Sequence, residues 1–282
     1  MFDIFTFISE PLSHEFMQRA LLMSLLIGGV CSIFSCFLIL KGWSLMGDAV
    51  SHAILPGLAL AYIAGIPLAI GAFTAGIFCA LSTGFLKNNS RIKEDAAMGI
   101  VFSGMFALGL VMLTKIKTDI HLLHILFGNV LGITQNDLIQ AGSIAGVCMI
   151  TMLLKRKDFM LYCFDPIHAA VIGLPVKILR FSLLVLLALT IISALKAAGI
   201  ILVIAMLIAP GAIGFLLSRT FNHMLILALC ASIISCISGT ILSFHLDVAT
   251  APLIVVIQAS LFLCALLASQ TPILKTRLKN AC

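Results

Sequence analysis

Long apolar runs recur along the whole sequence, and they constrain the fold more than any other feature. A helix needs roughly 20 consecutive apolar residues to cross the hydrocarbon core of a bilayer. Only 10% of the 282 residues are charged, whereas about a quarter are charged in a typical soluble domain. Because so few charges cannot cover a water-facing surface, the sequence predicts an all-α polytopic membrane protein in which residues 1–282 form a single transmembrane domain.

The apolar runs predict nine crossings, with eight as the alternative. The second and third runs are separated only by Gly65-Ile66-Pro67, so a re-entrant hairpin or one bent helix there would reduce the count. The acidic segment at residues 1–16 predicts a short interfacial helix before the first crossing. The predicted crossings are residues 19–40, 50–65, 68–86, 95–113, 137–154, 178–195, 199–217, 222–243 and 251–270.

Positive charges predict the orientation, because Lys and Arg accumulate in short cytoplasmic loops. With the N-terminus outside, 13 of the 17 Lys and Arg residues fall on one side of the predicted topology. That side is expected to be cytoplasmic and to carry the C-terminus, with a basic tail at residues 271–282. The net charge of +6 therefore reports topology. The expected environment is the lipid bilayer, and no nucleic acid partner is expected.

Asp48 and His52 are the most informative pair in the sequence. They are four residues apart, so they share one face of a helix, and they lie at or inside a predicted crossing. A carboxylate there is costly unless it is paired or lines a polar path. A carboxylate with an imidazole suits divalent manganese, iron or zinc. The spacing is equally compatible with a pair that caps a helix near the membrane interface.

A predicted cytoplasmic segment at residues 155–177 contains a short helix that cannot span the membrane. Asp165-Pro166 is a typical helix start, with Pro at the first helical position. Gly173-Leu174-Pro175 is a typical stop. Such a helix is a candidate docking surface for a cytoplasmic partner.

Two further features allow more than one interpretation. In the predicted outer segment, Asp119, His121 and His124 could help to admit a metal ion, or they could be solvated loop residues. Pro210 and Gly211 interrupt an apolar run. They could form a gating kink, or a passive kink whose freed backbone groups are satisfied by a neighbouring helix.

Some motifs are absent from the sequence. It contains no G-x-x-x-x-G-K-[ST] pattern, so the chain does not bind ATP through a P-loop. It also contains neither H-E-x-x-H nor G-x-S-x-G, which leaves an intramembrane protease or hydrolase without support.

Several long motifs resemble the transmembrane permease subunits of bacterial manganese/iron/zinc ABC importers. Together they cover most of the chain between about residues 40 and 215. They are GDAVSHAILPG (47–57), KEDAAMGIVFSGMFALGLV (93–111), HILFGNVLG (124–132), FDPIHAAVIGLPV (164–176) and AAGIILVIAMLIAPGAIG (197–214), with LDVATAPLIVV (246–256) as a looser match.

The resemblance implies a fold and a division of labour. The fold is that of permeases of the vitamin-B12 and siderophore importer type. A second permease, either the same or a homologous chain, completes the pore. A cytoplasmic ABC ATPase drives transport, and an extracytoplasmic metal-binding protein delivers the ion. The chain itself is then a transport subunit of a bacterial inner membrane rather than an enzyme, and it holds no permanent cofactor.

The resemblance also implies residue roles. Asp48 and His52 match the motif residues that bind metal in the translocation path. The segment 164–176 matches the coupling helix that inserts into the ATPase, and the ending Ala-Ile-Leu-Pro-Gly (53–57) is similar to the manganese and chelated-iron branch. The transported ion is then Mn(II) or Fe(II), with Zn(II) as the alternative. The matching coupling residues are Asp165, Pro166, Ile167, His168, Ala169, Gly173, Leu174 and Pro175.

Two rival functions remain at this point. An ion-coupled secondary transporter usually has several membrane-embedded carboxylates and often an internal repeat. Here only Asp48 is clearly intramembrane, and no convincing repeat is found. A membrane scaffold or sensor that transports nothing is the other rival.

Overall fold

The computed structural model describes residues 4–43, 45–115 and 134–270, and every element within these ranges is an α-helix. The predicted basic tail at 271–282 lies outside the described residues. The helices are α1 (Ile4–Leu12), α2 (Glu15–Lys41), α3 (Met46–Ala53), α4 (Leu55–Ala64), α5 (Leu68–Asn89), α6 (Glu94–Lys115), α7 (Gln135–Leu154), α8 (Arg156–Phe164), α9 (Pro166–Val171), α10 (Val176–Leu217), α11 (Phe221–Leu246) and α12 (Thr250–Gln270).

Over the described ranges, nine helical segments are long and apolar enough to cross a membrane, which confirms the predicted all-α polytopic fold with eight or nine crossings. Helices α3 and α4 together form the second of these segments, Met46–Ala64. Gly65 ends α4 in the left-handed conformation, with φ of 67°, and α5 follows directly after Pro67. The second and third segments are therefore separate helices, so the alternative of one bent helix is wrong, whereas a re-entrant hairpin stays an alternative.

Helix α10 is 42 residues long and contains two membrane-length segments. They are Val176–Leu195 and Ala198–Leu217. The helix is interrupted by a kink at Gly199, the second residue of the second segment, with φ of 76° and ψ of 167°. These angles are far from helical, and only a residue without Cβ adopts them readily.

Helix α2 lies at the centre of the bundle and is buried along most of its length. Lipid provides no hydrophobic drive between helices, so they associate by close packing of small residues. At Gly28 a Cβ atom would lie 2.6 Å from the Ser232 hydroxyl oxygen of α11. One turn away, the Cys236 thiol donates to the carbonyl oxygen of Ser24 at 3.2 Å. Small residues thus let the backbones of α2 and α11 approach closely.

The predicted helix before the first crossing is present as α1. Its Phe7 ring stacks on the His245 ring of α11, with centroids 3.8 Å apart. The Nε2 atom of His245 lies 2.9 Å from the Phe7 carbonyl oxygen. These contacts fix α1 against the end of α11. A position at the membrane interface stays a prediction.

Helix α8 was not expected from the sequence, which predicted only one short helix between residues 155 and 177. Phe159, Tyr162 and Cys163 form its buried face. Their spacing of three and four residues is that of an amphipathic helix, so this signal was available. The basic start of the segment, Lys155-Arg156-Lys157, masked it by suggesting a loop.

Gln258 of α12 provides a test of the packing. Its side chain is 0% exposed, and neither amide atom has a hydrogen-bond partner among the described residues. A buried polar group without a partner costs about 1–3 kcal/mol. Replacing it by Met, which has a similar volume, is expected to raise the thermal midpoint of the purified protein in detergent by a few degrees.

The matched control is Gln270→Met, at the exposed end of the same helix, which is expected to leave the midpoint unchanged. A lower midpoint for Gln258→Met than for the wild type would show that the buried amide is satisfied and stabilising.

Candidate functional site

Asp48 and His52 lie on α3 and contact each other as predicted. The Nδ1 atom of His52 is 3.1 Å from Oδ1 of Asp48 and 3.0 Å from the Asp48 carbonyl oxygen. The His52 and Asp48 side chains are 27% and 32% exposed, so the pair is half-buried and open on one side. An Nδ1–H that donates to a carboxylate fixes the tautomer and leaves the Nε2 lone pair for a metal ion.

Two aromatic rings of α6 flank the imidazole. The Phe106 ring meets the His52 ring edge-on, with centroids 5.3 Å apart. The Phe102 ring lies 6.3 Å from it. Apolar walls of this kind keep water from one side of a polar site and strengthen its electrostatic interactions. Sequence reasoning missed both residues, although their spacing of four within 93–111 places them on one helix face.

The helix that carries the pair is interrupted immediately after it. Ile54 separates α3 from α4, although its backbone angles remain helical at φ −68° and ψ −26°. Pro56 has no N–H to donate to the carbonyl oxygen of His52, four residues earlier. An interrupted membrane helix is tolerated where other groups or a cavity satisfy the freed backbone. Here the Ile54 N–H donates to the carbonyl oxygen of His52, so the break lies directly beside the Asp48–His52 pair.

Close packing on two sides fixes this break. At Gly57 a Cβ atom would lie 2.1 Å from the Gly71 carbonyl oxygen of α5, and the reverse distance from Gly71 is 2.2 Å. At Gly109 of α6 a Cβ atom would lie 2.9 Å from the backbone nitrogen of Pro56. Helix α5 thus contacts the backbone of α4 at Gly57, and helix α6 contacts it at Pro56.

Asp48 and His52 would give a metal ion two side-chain ligands. Within the described ranges, no group of three or more His, Cys, Asp and Glu side chains could hold a metal ion. Divalent first-row metals take at least four ligands in proteins. An ion bound here would therefore need further ligands besides this pair. Asp119, His121 and His124, predicted to help admit the ion, lie outside the described residues.

The predicted coupling segment forms a well-capped helix. The Asp165 carboxylate accepts hydrogen bonds from the backbone N–H groups of Ile167 and His168 at 3.0 and 2.9 Å. At the other end Gly173 is left-handed, with φ of 90°. The N–H groups of Gly173 and Leu174 bond back to Ala170 and Ala169 at 3.1 and 3.0 Å. This is a Schellman ending, so both predicted boundaries are confirmed.

Helix α9 presents apolar side chains to its surroundings. Ile167 and Val171 are 77% and 79% exposed, whereas Ala169 on the opposite face is fully buried. His168 is exposed, and Leu174 is half-buried before Pro175 leads into α10. Exposed apolar surface of this kind marks an interaction site.

Pro210 and Gly211 lie in the second half of α10, where the backbone remains helical. Ser35 of α2 bonds to the backbone of this stretch: the Gly211 N–H donates to the Ser35 hydroxyl at 2.9 Å. The same hydroxyl donates to the Ile208 carbonyl oxygen at 3.0 Å. The contact supports the interpretation as a kink satisfied by a neighbour. A gating role for Pro210 and Gly211 stays a prediction.

Nine membrane-length segments around a half-buried carboxylate–imidazole pair define a polytopic membrane protein of the permease class. Comparison with known proteins identifies it further. The family model described as the ABC 3 transport family matches residues 13–269, and the chain belongs to that family. It is therefore the membrane permease subunit of an ABC transporter and not an enzyme, and ATP hydrolysis takes place on a separate subunit. This confirms the predicted family and leaves both rival functions unsupported.

Individual relatives agree with this assignment. The chain is 60% identical to the chelated iron transport system membrane protein YfeD of Yersinia pestis, over 97% of this chain and 92% of the relative. It is 53% identical to the manganese transport system membrane protein MntB of Synechocystis sp., over 94% and 87%. PsaBC from Streptococcus pneumoniae in complex with Fab superposes with a TM-score of 0.85 at 34% identity, over 98% of this chain and 100% of that one.

The glycine contact beside the Asp48–His52 helix gives a second test. In Gly57→Ala the new methyl group would overlap backbone atoms of Gly71, so α4 and α5 have to separate. Overpacking of this kind typically costs about 1–3 kcal/mol. The variant is expected to lower the thermal midpoint in detergent and to reduce transport.

Gly146→Ala on α7 is the matched control, because a Cβ atom there meets nothing within 4 Å. It is expected to be neutral or slightly stabilising. Equal midpoints for the two variants would contradict the close contact between α4 and α5.

Proposed function

We propose that this permease carries Mn(II) or Fe(II) into a bacterial cell, and that Asp48 and His52 bind the ion as it crosses. The observation that carries the proposal is the carboxylate–imidazole contact of 3.1 Å on an interrupted membrane helix. It occurs in a chain that is 60% and 53% identical to proteins named for chelated iron and manganese transport. A structural ion pair would need neither the break at Pro56 nor an open side.

The ligand types support manganese and iron as substrates. A carboxylate is a hard ligand that suits Mn(II), and imidazole suits Fe(II) and Zn(II). No soft thiolate joins them, because no group of three or more ligand side chains is found among the described residues. Zinc remains the alternative substrate, although neither relative described above is named for it.

The incomplete ligand set supports a pore built from two permeases. With Asp48 and His52 half-exposed, a second permease could bring its own ligands to the open side of the pair. The second chain is either an identical copy or a homologue. An extracytoplasmic metal-binding protein delivers the ion, which then exchanges its ligands for this site.

Helix α9 is the proposed docking site for the ATPase. Asp165 and Pro166 start it, and Gly173 to Pro175 end it, so its caps hold a short rigid element in place. Ile167 and Val171 present apolar contacts to the partner, with His168 beside them. ATP-driven movement of this helix would open the site alternately to the two sides of the membrane, with Pro210 and Gly211 as candidate hinge residues.

The uptake of radioactive Mn(II) by cells that contain the whole transporter tests the metal site. Asp48→Ala and His52→Ala are each expected to lower saturable uptake by at least about tenfold, since the loss of even a supporting residue of a metal site costs that much. Competition by Fe(II) and Zn(II) gives the order of preference.

The matched control is His223→Gln. His223 lies at the start of α11, outside the proposed metal site, and this variant is expected to transport normally. Wild-type uptake by the two alanine variants, at equal amounts in the membrane, would mean that the pair is structural.

The orientation is tested by introduced cysteines. We propose that the N-terminus is outside and the C-terminus cytoplasmic, in the inner membrane. In Ile66→Cys the new thiol lies in an exposed turn on the proposed outer side, and in Ser90→Cys it lies in an exposed turn on the cytoplasmic side. A membrane-impermeant maleimide is expected to label the first in spheroplasts and the second only after lysis. The reverse pattern would invert the topology.

A further inference from the structure

We infer that Lys41 is a positioning residue, which holds the helix carrying Asp48 and His52 in register with the coupling segment through its contact with Tyr162. The inference rests on the proposed role of α9 in docking the ATPase. It adds the route by which a movement of α9 reaches the metal site.

The contact itself has two parts. The Lys41 ammonium lies 4.3 Å from the centroid of the Tyr162 ring, within the range of a cation–π interaction. It also donates to the Tyr162 carbonyl oxygen at 3.4 Å. The Tyr162 side chain is only 2% exposed. Burial raises the pKa of the neighbouring Cys163 thiol to about 12. Little water reaches this place, and a cation–π interaction is stronger where water is excluded.

On one side, Lys41 is tied closely to the metal-site helix. It is the last residue of α2, and Gly42 closes that helix in the left-handed conformation, with φ of 74°. The Trp43 N–H bonds back to Leu38 at 2.8 Å, and the Met46 N–H, which begins α3, bonds to Trp43 at 3.0 Å. Trp43 is buried. The hydrogen-bonded corner transmits a displacement of Lys41 to α3, on which Asp48 is the third residue.

On the other side, Tyr162 is tied to the coupling segment. It lies on α8, which ends at Phe164, and Asp165 then caps α9 directly. The buried face of α8 rests on α2: the Phe159 and Phe37 rings meet edge-on, with centroids 6.2 Å apart. Phe37 also meets Phe221 of α11 at 4.9 Å. Helix α8 thus connects α9 to the end of α2 as a short rigid element.

Helix α3 is also packed so that it responds as a unit. At Gly47 a Cβ atom would lie 2.7 Å from a methyl carbon of Leu207 on α10. Movement at the α2–α3 corner therefore shifts α3 against α10 rather than bending it. The Lys41–Tyr162 contact is the polar link in this chain of contacts, and it can be removed without touching Asp48, His52 or α9.

The test uses the whole transporter, with its ATPase and its metal-binding protein, in proteoliposomes. Lys41→Met removes the cation, and Tyr162→Leu removes the ring but keeps the carbonyl oxygen. The matched controls are Lys41→Arg and Tyr162→Phe, which retain the cation and the ring. Mn(II) uptake and ATP hydrolysis are measured together, with Mn(II) binding to the transporter in detergent measured separately.

We expect Lys41→Met and Tyr162→Leu to lower the number of ions transported per ATP hydrolysed by about fivefold or more, as for the loss of a coupling interaction. Basal ATP hydrolysis and Mn(II) binding are expected to stay unchanged. The double variant is expected to be no worse than Lys41→Met alone, because Lys41→Met already removes the cation that contacts the Tyr162 ring. The two control variants are expected to keep the wild-type ratio.

An unchanged ratio, or effects that add in the double variant, would overturn the inference. A proportional loss of uptake and ATP hydrolysis would also overturn it, because it would indicate a purely structural contact. If Tyr162→Leu does not assemble, progressively fluorinated phenylalanine at position 162 decides. Fluorination keeps the shape of the ring while weakening its attraction for a cation, so the ratio should fall stepwise. If the wild-type transporter itself takes up no Mn(II) or Fe(II), the proposed function fails instead.

Discussion

Every backbone hydrogen-bonding group inside a membrane has to find a partner within the protein, and this structure depends on that constraint throughout. Helices satisfy it locally, which is why the described ranges consist of helices joined by short connections. Because lipid does not drive apolar faces together, the helices are held by close approach at small residues instead. Gly28 against Ser232 and Gly57 against Gly71 are contacts of this kind. The bundle is therefore specified by where side chains are small rather than by where they are apolar.

The departures from regular helix are informative because each has to be compensated. After His52 the helical hydrogen bonds are interrupted at Ile54 and Pro56. There α5 contacts the backbone at Gly57, and α6 contacts it at Pro56. In α10 the Ser35 hydroxyl bonds to the backbone around Pro210, and it both donates and accepts. The break after His52 lies beside a carboxylate–imidazole pair, whereas Pro210 lies in a helix–helix contact where the backbone stays helical. Only the first of the two proline positions coincides with an interruption of its helix.

The sequence was sufficient for the fold because hydropathy, charge and caps are local properties. The ends of the nine membrane-length segments were predicted to within about four residues, and Asp165 and Gly173 correctly marked the ends of α9. Asp48 and His52 could be paired from their spacing alone. By contrast, Phe102 and Phe106 beside His52, and Ser35 under Gly211, are contacts between distant parts of the chain. No local pattern contains them. Helix α8 was missed for another reason, since its charged start concealed a short amphipathic pattern.

The central position of α2 has a consequence for biosynthesis. It leaves the ribosome before the other crossings described here, and its partners in α10 and α11 are made much later; Ser35 and Gly211 are 176 positions apart. Until α10 is inserted, the Ser35 hydroxyl lacks its partners at Ile208 and Gly211. Until then α2 has to lie either in lipid or against the insertion machinery. The innermost helix is therefore inserted early, and its contacts are complete only after the later crossings α10 and α11 have been inserted.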